Sequence, residues 1–164
     1  MLATWRSLHM KYVDVFVGLG SNLGNRESFL ASAVLMLQNH EQIYIVKEST
    51  VIETAPVGGI EQGAFLNQVL QVETELEPAV LLNSCLAIEE SQGRVRGEKW
   101  GPRTLDIDIL FYGNHVLDAP SLHVPHPELH LRQFVLGPLA EIAPEFEHPV
   151  CKKNMRKLLE TLLS

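Results

Sequence analysis

The sequence predicts an α+β fold. Three observations point to it: β-branched and aromatic residues concentrate in four stretches, apolar residues recur at helical spacing in two of the intervals between them, and Gly- and Pro-rich turn signals separate the stretches. Residues 12–19, YVDVFVGL, read as the first strand and end at the turn signal Gly20-Ser21-Asn22. Asn25 suits a helix N-cap, and Phe29, Leu30, Ala33, Val34 and Leu37 follow at helical spacing to about His40. Residues 43–53 and 64–75 are two further strands, expected to pair antiparallel across the loop TAPVGGIEQG with its Pro56, Gly58, Gly59 and Gly63. Pro78 fits the first turn of a second helix carrying Val80, Leu81, Cys85 and Ile88, and Gly93 can close it. After a loop at 93–102, TLDIDILFYG is a strand ending at Gly113-Asn114. The order β-α-β-β-α-β is the ferredoxin-like split arrangement. An appended C-terminal part holds a Pro- and His-rich loop at 118–130, a short helix near 136–141 and an amphipathic helix around 154–163.

A chain of 164 residues predicts one domain, spanning 12–164, with residues 1–11 as an N-terminal extension. Its 46% hydrophobic and 20% charged residues are ordinary globular usage. A formal charge of −7 argues against a nucleic-acid or acidic-membrane partner, except where positive residues gather locally. Cys85 and Cys151 match no zinc spacing and make no disulfide framework, which predicts a reducing, cytoplasmic setting. Neither a signal peptide nor a membrane-spanning stretch is expected.

Asp106 and Asp108, two apart in a strand, project on one face about 6.6 Å apart, while Leu105, Ile107 and Ile109 turn to the other. Such a pair is either a solvated polar face or a site for a hard divalent ion, which takes carboxylate oxygens and completes its shell with water and substrate phosphates. Just upstream, RVRGEKWGPR sets Arg94, Arg96, Lys99 and Arg103 against Glu98 alone, a cluster of positive charge in an acidic chain. Guanidinium forks bind phosphate oxygens in pairs, and Gly93, Gly97 and Gly101 give the loop freedom to fold over a polyphosphate. Basic loop and acidic strand together point to a metal-bound triphosphate. Glu89, one turn before Gly93, either supports the helix or faces this site.

GLGSNLG sits where a dinucleotide fingerprint would, but Leu23 occupies the place of the third glycine, and no Walker lysine motif occurs. A tight-turn role is expected instead. His126, Glu128 and His130 match half of a zinc-deaminase signature whose P-C-x-x-C half is missing, so zinc is rejected, and His126 is left as a structural histidine or a phosphate contact.

VGLGSNLGN, ETAPVG with AFLNQV, IEESQGRVR, WGPRTLDIDILFYG and VPHPELHLRQFVLGPLAEIAP together resemble the 6-hydroxymethyl-7,8-dihydropterin pyrophosphokinases of folate biosynthesis, over roughly residues 12–146. The resemblance implies a ferredoxin-like fold and transfer of pyrophosphate from ATP to the pterin hydroxymethyl group, releasing AMP. It implies that Asp106 and Asp108 hold two Mg²⁺ ions, and that Arg94 and Arg96 serve the transfer itself. By the same resemblance Glu89, Arg94, Arg96, Arg103, Ile109, His126 and Arg132 meet ATP. Phe65 and Phe134 sandwich the pterin, Asn67 bonds its edge, Thr54 and Val57 lend backbone contacts, and Trp100 covers it. The implied partners are these two small molecules, on a monomer. Two rival readings stand beside it: a non-catalytic pterin- and nucleotide-binding module, and an enzyme acting on another nucleotide or alcohol.

Overall fold

The computed structural model describes residues 12–56, 61–94 and 102–164. Its elements are β1 (Val13–Ser21), α1 (Arg26–Gln38), β2 (Ile43–Glu48), β3 (Ile52–Thr54), β4 (Phe65–Thr74), α2 (Pro78–Ser91), β5 (Asp106–Tyr112), β6 (Leu117–Ala119), β7 (Leu122–Val124), a 3₁₀ turn (Leu129–Leu131), α3 (Gln133–Ile142) and α4 (Met155–Leu163). The main sheet runs β2-β4-β1-β5, with β3 also on β4, and every pairing is antiparallel. The expected mixed helix and strand order is therefore present. No helix among the described residues is long and apolar enough to cross a membrane.

Local chemistry sets the helix ends. Asn25 Oδ1 accepts from Ser28 N at 3.1 Å to start α1, and Asn154 Oδ1 accepts from Lys157 N at 2.8 Å to start α4. Pro78 opens α2, and Gly93, at φ +79°, reverses the chain after it while Arg94 N reaches back to Glu89 O at 3.2 Å.

Four expectations need correction. β1 continues through Gly20 to Ser21, because its partners on β4 and β5 carry the ladder that far. The stretch 43–53 is two strands, since at Ser49 a side chain takes over part of the ladder: Ser49 N donates to Val69 O at 2.9 Å, but Val69 N donates to Ser49 Oγ at 2.8 Å and Ser49 O accepts from the Gln68 side chain at 3.0 Å. The loop at 118–130 contains the β6–β7 hairpin, whose three-residue strands are too short to show a period. The helix near 136–141 begins three residues earlier, at Gln133, and takes Pro138 into its interior.

The sheet has a core on each face. Val15, Val17 and Leu19 of β1 join Ile107 and Ile109 of β5 beneath Leu30, Ala33 and Leu37 of α1 and Leu81, Cys85 and Ile88 of α2. On the other face, Phe16, Val69 and Phe111 pack with Leu136 and Leu139 of α3 and Met155 and Leu158 of α4. A bulge opposite Phe16 and Val17 gives β5 one extra residue, so Leu110 and Phe111 both serve this second core. The second face is then only half covered. Beyond Phe16, β1 presents Gly18 and Gly20 there, and the absent side chains leave a cleft beside α3.

Phe111 is fully buried, with ring centroids 6.1 Å from Phe16 and 4.9 Å from Phe146. Phe111→Ala is expected to cost about 3–5 kcal/mol of stability, read as a lowered urea midpoint at unchanged slope.

Candidate active site

The cleft is floored by three strands. Gly18 and Gly20 stand opposite Asp108 and Asp106 on β5, and Gly20 also stands opposite Asn67 on β4. A Cβ built on Gly20 would lie 3.2 Å from Asn67 Oδ1 and 3.6 Å from the Phe65 ring, so glycine is what lets the floor lie this low. The expected tight turn is confined to Gly24, at φ +75°; Gly18 and Gly20 are strand residues that make room.

One half of the cleft is aromatic. Phe65 from β4 and Phe134 from α3 line it with Thr54 and Asn67. Asn67 Nδ2 donates to Thr54 Oγ1 at 2.6 Å, which fixes the amide and leaves Asn67 Oδ1 over Gly20 as a hydrogen-bond acceptor. The Arg132 guanidinium sits 5.6 Å from the Phe134 ring centroid, pairs with Glu128 and lines the same cleft.

The other half is ionic. Asp106 Oδ1 takes Arg94 Nη1 at 2.8 Å and Asp106 Oδ2 takes Arg103 Nη1 at 3.0 Å. Arg94 Nη1 also reaches Glu89 Oε2 at 2.5 Å, and that same oxygen accepts from Ile107 N at 2.7 Å. Glu89 is 4% exposed and buried beneath β5, where burial raises its pKa and the Ile107 amide and Arg94 oppose the rise. It therefore orients Arg94 and the strand carrying the aspartates from below. Ile109 faces the α1 and α2 core on the side away from the aspartates. Arg96, Val57 and Trp100, expected at the site, lie outside the described residues.

Burial, with Asp106 and Glu89 as anionic neighbours, raises the Asp108 carboxyl to about 7 against the pull of Arg132 and Arg103. The charged form of Asp108 is thus disfavoured at neutral pH, chiefly by its burial. Among the described residues no group of three or more His, Cys, Asp and Glu side chains could enclose a metal. Two carboxylates on an open cleft fit Mg²⁺, which keeps water and substrate phosphates in its shell, better than an ion needing an all-protein cage.

The raised Asp108 value has a testable sign. Between about 3.9, the ordinary aspartate value, and about 7 the folded state binds more protons than the unfolded, so without metal Asp108 costs increasing stability as pH rises. In EDTA at pH 8, Asp108→Asn is expected to be more stable than the parent by roughly 1–3 kcal/mol, a gap that narrows as pH is lowered toward about 5. Urea titrations at both pH values check this; a constant gap would return Asp108 to an ordinary carboxyl.

His126 lies off the cleft, in a groove beside the β6–β7 hairpin. Its Nδ1 accepts from Glu128 N at 3.3 Å, which places the proton on Nε2, and burial and Arg132 lower its pKa, keeping the ring neutral near pH 7. Two residues are absent from the expected set: Asn22, at the junction of both halves, and Arg26, beside the entry to β4. Arg26 Nη1 donates to Ala64 O at 2.9 Å and pairs with Glu53 at 2.9 Å. The GLGSNLGN motif, which holds Asn22 and ends just before Arg26, was the only signal, and reading it as a turn hid it.

The chain matches the family model for 7,8-dihydro-6-hydroxymethylpterin-pyrophosphokinase over residues 16–144. It is 43% identical over 132 residues to the 2-amino-4-hydroxy-6-hydroxymethyldihydropteridine pyrophosphokinase of Bacillus subtilis, covering 80% of this chain and 79% of that protein. It is also 43% identical over 143 residues to the enzyme of the same name from Aquifex aeolicus, covering 87% and 88%. Among solved structures, a Plasmodium falciparum HPPK-DHPS with pterin and p-hydroxybenzoate superposes at TM-score 0.73 and 17% identity. That match covers 92% of this chain but spans only 43% of the larger one, and it bears on the fold alone. By the extent of the family match and the identity of these relatives, the chain belongs to the 7,8-dihydro-6-hydroxymethylpterin-pyrophosphokinase family.

Proposed function

We propose that residues 12–164 form one catalytic unit that transfers pyrophosphate from ATP to 6-hydroxymethyl-7,8-dihydropterin in folate synthesis, giving AMP. The observation that carries this reading is the two-sided cleft: carboxylates and arginines on β5 and its approach, an aromatic slot across the glycines of β1. With β2 and β3 counted as one broken strand, the sheet order supports the ferredoxin-like arrangement expected from the sequence.

In this reading the flat pterin stacks between Phe65 and Phe134, an arrangement suited to a planar heterocycle. Asn67 Oδ1 accepts from its edge, Thr54 and Val57 add backbone contacts, and Trp100 covers the ring. The hydroxymethyl oxygen then points toward Asp106 and Asp108. Those carboxylates hold Mg²⁺, two ions in our reading, which when bound neutralises triphosphate charge and polarises the transferring phosphoryl group. Arg94, Arg96, Arg103 and Arg132 bind phosphate oxygens, and His126, neutral with Nε2–H outward, donates to one. Glu89 acts on the nucleotide half through Arg94, and Ile109 through the core beneath it. The pterin oxygen attacks the β-phosphorus, the bond from that phosphorus to the α–β bridging oxygen breaks, and AMP leaves. Positioning and charge stabilisation supply the rate, as in other phosphoryl transfers.

The test is chromatographic detection of AMP from protein, ATP, Mg²⁺ and the pterin alcohol, with controls lacking pterin or metal. AMP in the complete mixture alone is the expected result. ADP in its place means that the wrong bond breaks. Pterin and nucleotide binding without product would favour a non-catalytic module.

A further inference from the structure

We propose that Asn22 is a positioning residue that couples the pterin half of the cleft to the phosphate half. The inference rests on the functional reading above and assigns a role to Asn22 of GLGSNLG, a motif whose Gly18 and Gly20 that reading already uses as the cleft floor.

Asn22 follows directly on β1, is 6% exposed, and its backbone N–H and side-chain amide bond two segments of the chain. Toward the phosphate half, Asn22 N donates to Arg103 O at 3.0 Å and Asn22 Oδ1 accepts from Arg103 N at 2.7 Å. Both backbone polar groups of Arg103 are thereby held by one residue, three positions before the aspartate that its guanidinium grips at 3.0 Å. Toward the pterin half, Asn22 Nδ2 donates to Gln62 Oε1 at 2.8 Å and to Gly63 O at 3.1 Å, two residues before Phe65. The amide makes three of its four possible hydrogen bonds, both donors and one acceptor site, each with a partner of defined identity. An isosteric carboxylate, a hydroxyl or a longer amide cannot reproduce this set, which requires an acceptor and a two-hydrogen donor on one short stem.

The consequence is mechanical. A shift of Arg103 as it engages phosphate must carry Asn22 with it or break two hydrogen bonds, and moving Asn22 moves the entry to β4 from which Phe65 projects. The surroundings give the link nothing to slide on: Asn22 is buried, Ser21 before it is fully buried in the ladder, and Arg26 pins Ala64 one residue beyond Gly63. Loading either half therefore lowers the ordering cost of the other, and coupling of this kind is reciprocal.

The experiment measures the dissociation constant of 6-hydroxymethylpterin by fluorescence, with and without Mg²⁺ and α,β-methylene ATP, whose α–β linkage cannot be cleaved. The parent protein, Asn22→Ala, Asn22→Asp and Gln62→Ala are compared. The parent is expected to bind pterin about 5–150-fold more tightly with nucleotide present. Asn22→Ala should lose at least about tenfold of that enhancement, or all of it where it is smaller, while each ligand alone binds within about threefold of the parent. Asn22→Asp keeps the acceptor toward Arg103 and removes the donors toward Gly63, so it should lose the enhancement as well; Gln62→Ala should lose part of it. These last two keep the test decisive should Asn22→Ala fail to fold. Full enhancement in Asn22→Asp, or an equal loss of binary and ternary affinity in the variants, overturns the proposal and leaves Asn22 a packing residue. A parent that binds both ligands without mutual enhancement also overturns it. A parent that binds neither overturns the functional reading itself, which separates the two failures.

Discussion

Alanine at Asp106 or Asp108 is expected to lower AMP formation by about three orders of magnitude, with pterin affinity measured without nucleotide held within about threefold of the parent. Removing one preorganised charge-stabilising group from an oxyanion site typically costs two to three orders, and here each loss also strips one of the two carboxylates that line the cleft among the described residues. The aspartates should differ in how they fail. Asp106 is the anchor of Arg94 and Arg103, so its loss frees two guanidiniums as well as a metal ligand. Among the described residues Asp108 has no ion-pair partner within 4.0 Å, and its carboxyl is raised to about 7, so its loss removes a ligand and relieves burial of a charge. Asp108→Ala should accordingly be stable and inactive, and Asp106→Ala inactive with looser nucleotide binding. Single-turnover AMP formation and calorimetric titration of each ligand check the pair; either variant retaining parental turnover would remove that aspartate from the chemistry.

Spacing made the aspartates legible because a strand period of two is insensitive to the rest of the fold: once TLDIDILFYG is a strand, Asp106 and Asp108 share a face. The aromatic pair was not legible in that way. Phe65 and Phe134 lie in apolar stretches, and only the resemblance of AFLNQV and HLRQFVLGPLAEIAP to a family marked them as more than core. The structure adds that both rings are only partly buried and line a cleft over Gly18 and Gly20, where β1 supplies no side chain to fill the space.

Glu89 shows a different limit. One helical turn before Gly93 it could equally have faced water, and what decides the matter is tertiary: β5 crosses above it, and Ile107 N and Arg94 both come to Oε2. Asn22 is the same case with a stronger disguise, because Gly, Ser and Asn in succession are turn residues by composition. Here two of them continue a strand and the third bonds loops 40 and 81 residues away in sequence. The break at Ser49 was hidden for the same reason, since it depends on Val69, twenty residues on, whereas the hairpin at Leu117–Val124 is local and was missed because its three-residue strands carry no readable period.

Gly20→Val is expected to raise the dissociation constant for the pterin by at least about a hundredfold, the weight of a lost stacking site and a blocked floor, while Mg²⁺-nucleotide binding changes by less than about tenfold. The backbone itself should tolerate the change: Gly20 is an extended strand residue, absent from the positive-φ positions, and valine favours such a conformation. Space is what forbids it. The Cβ alone would stand 3.2 Å from Asn67 Oδ1, tighter than ordinary contact, and the two methyls beyond it would enter the slot between Phe65 and Phe134. Asn67 cannot retreat without giving up Thr54 Oγ1 at 2.6 Å. Gly18→Ala is the matched control, since its Cβ meets only the Leu110 side chain, at 3.5 Å and beyond, and should leave pterin binding within about threefold. Circular dichroism and thermal melts establish that both variants fold, and pterin titration separates them. Equal affinity in the two would mean that the ring does not lie over Gly20, and the aromatic half of the cleft would need another occupant.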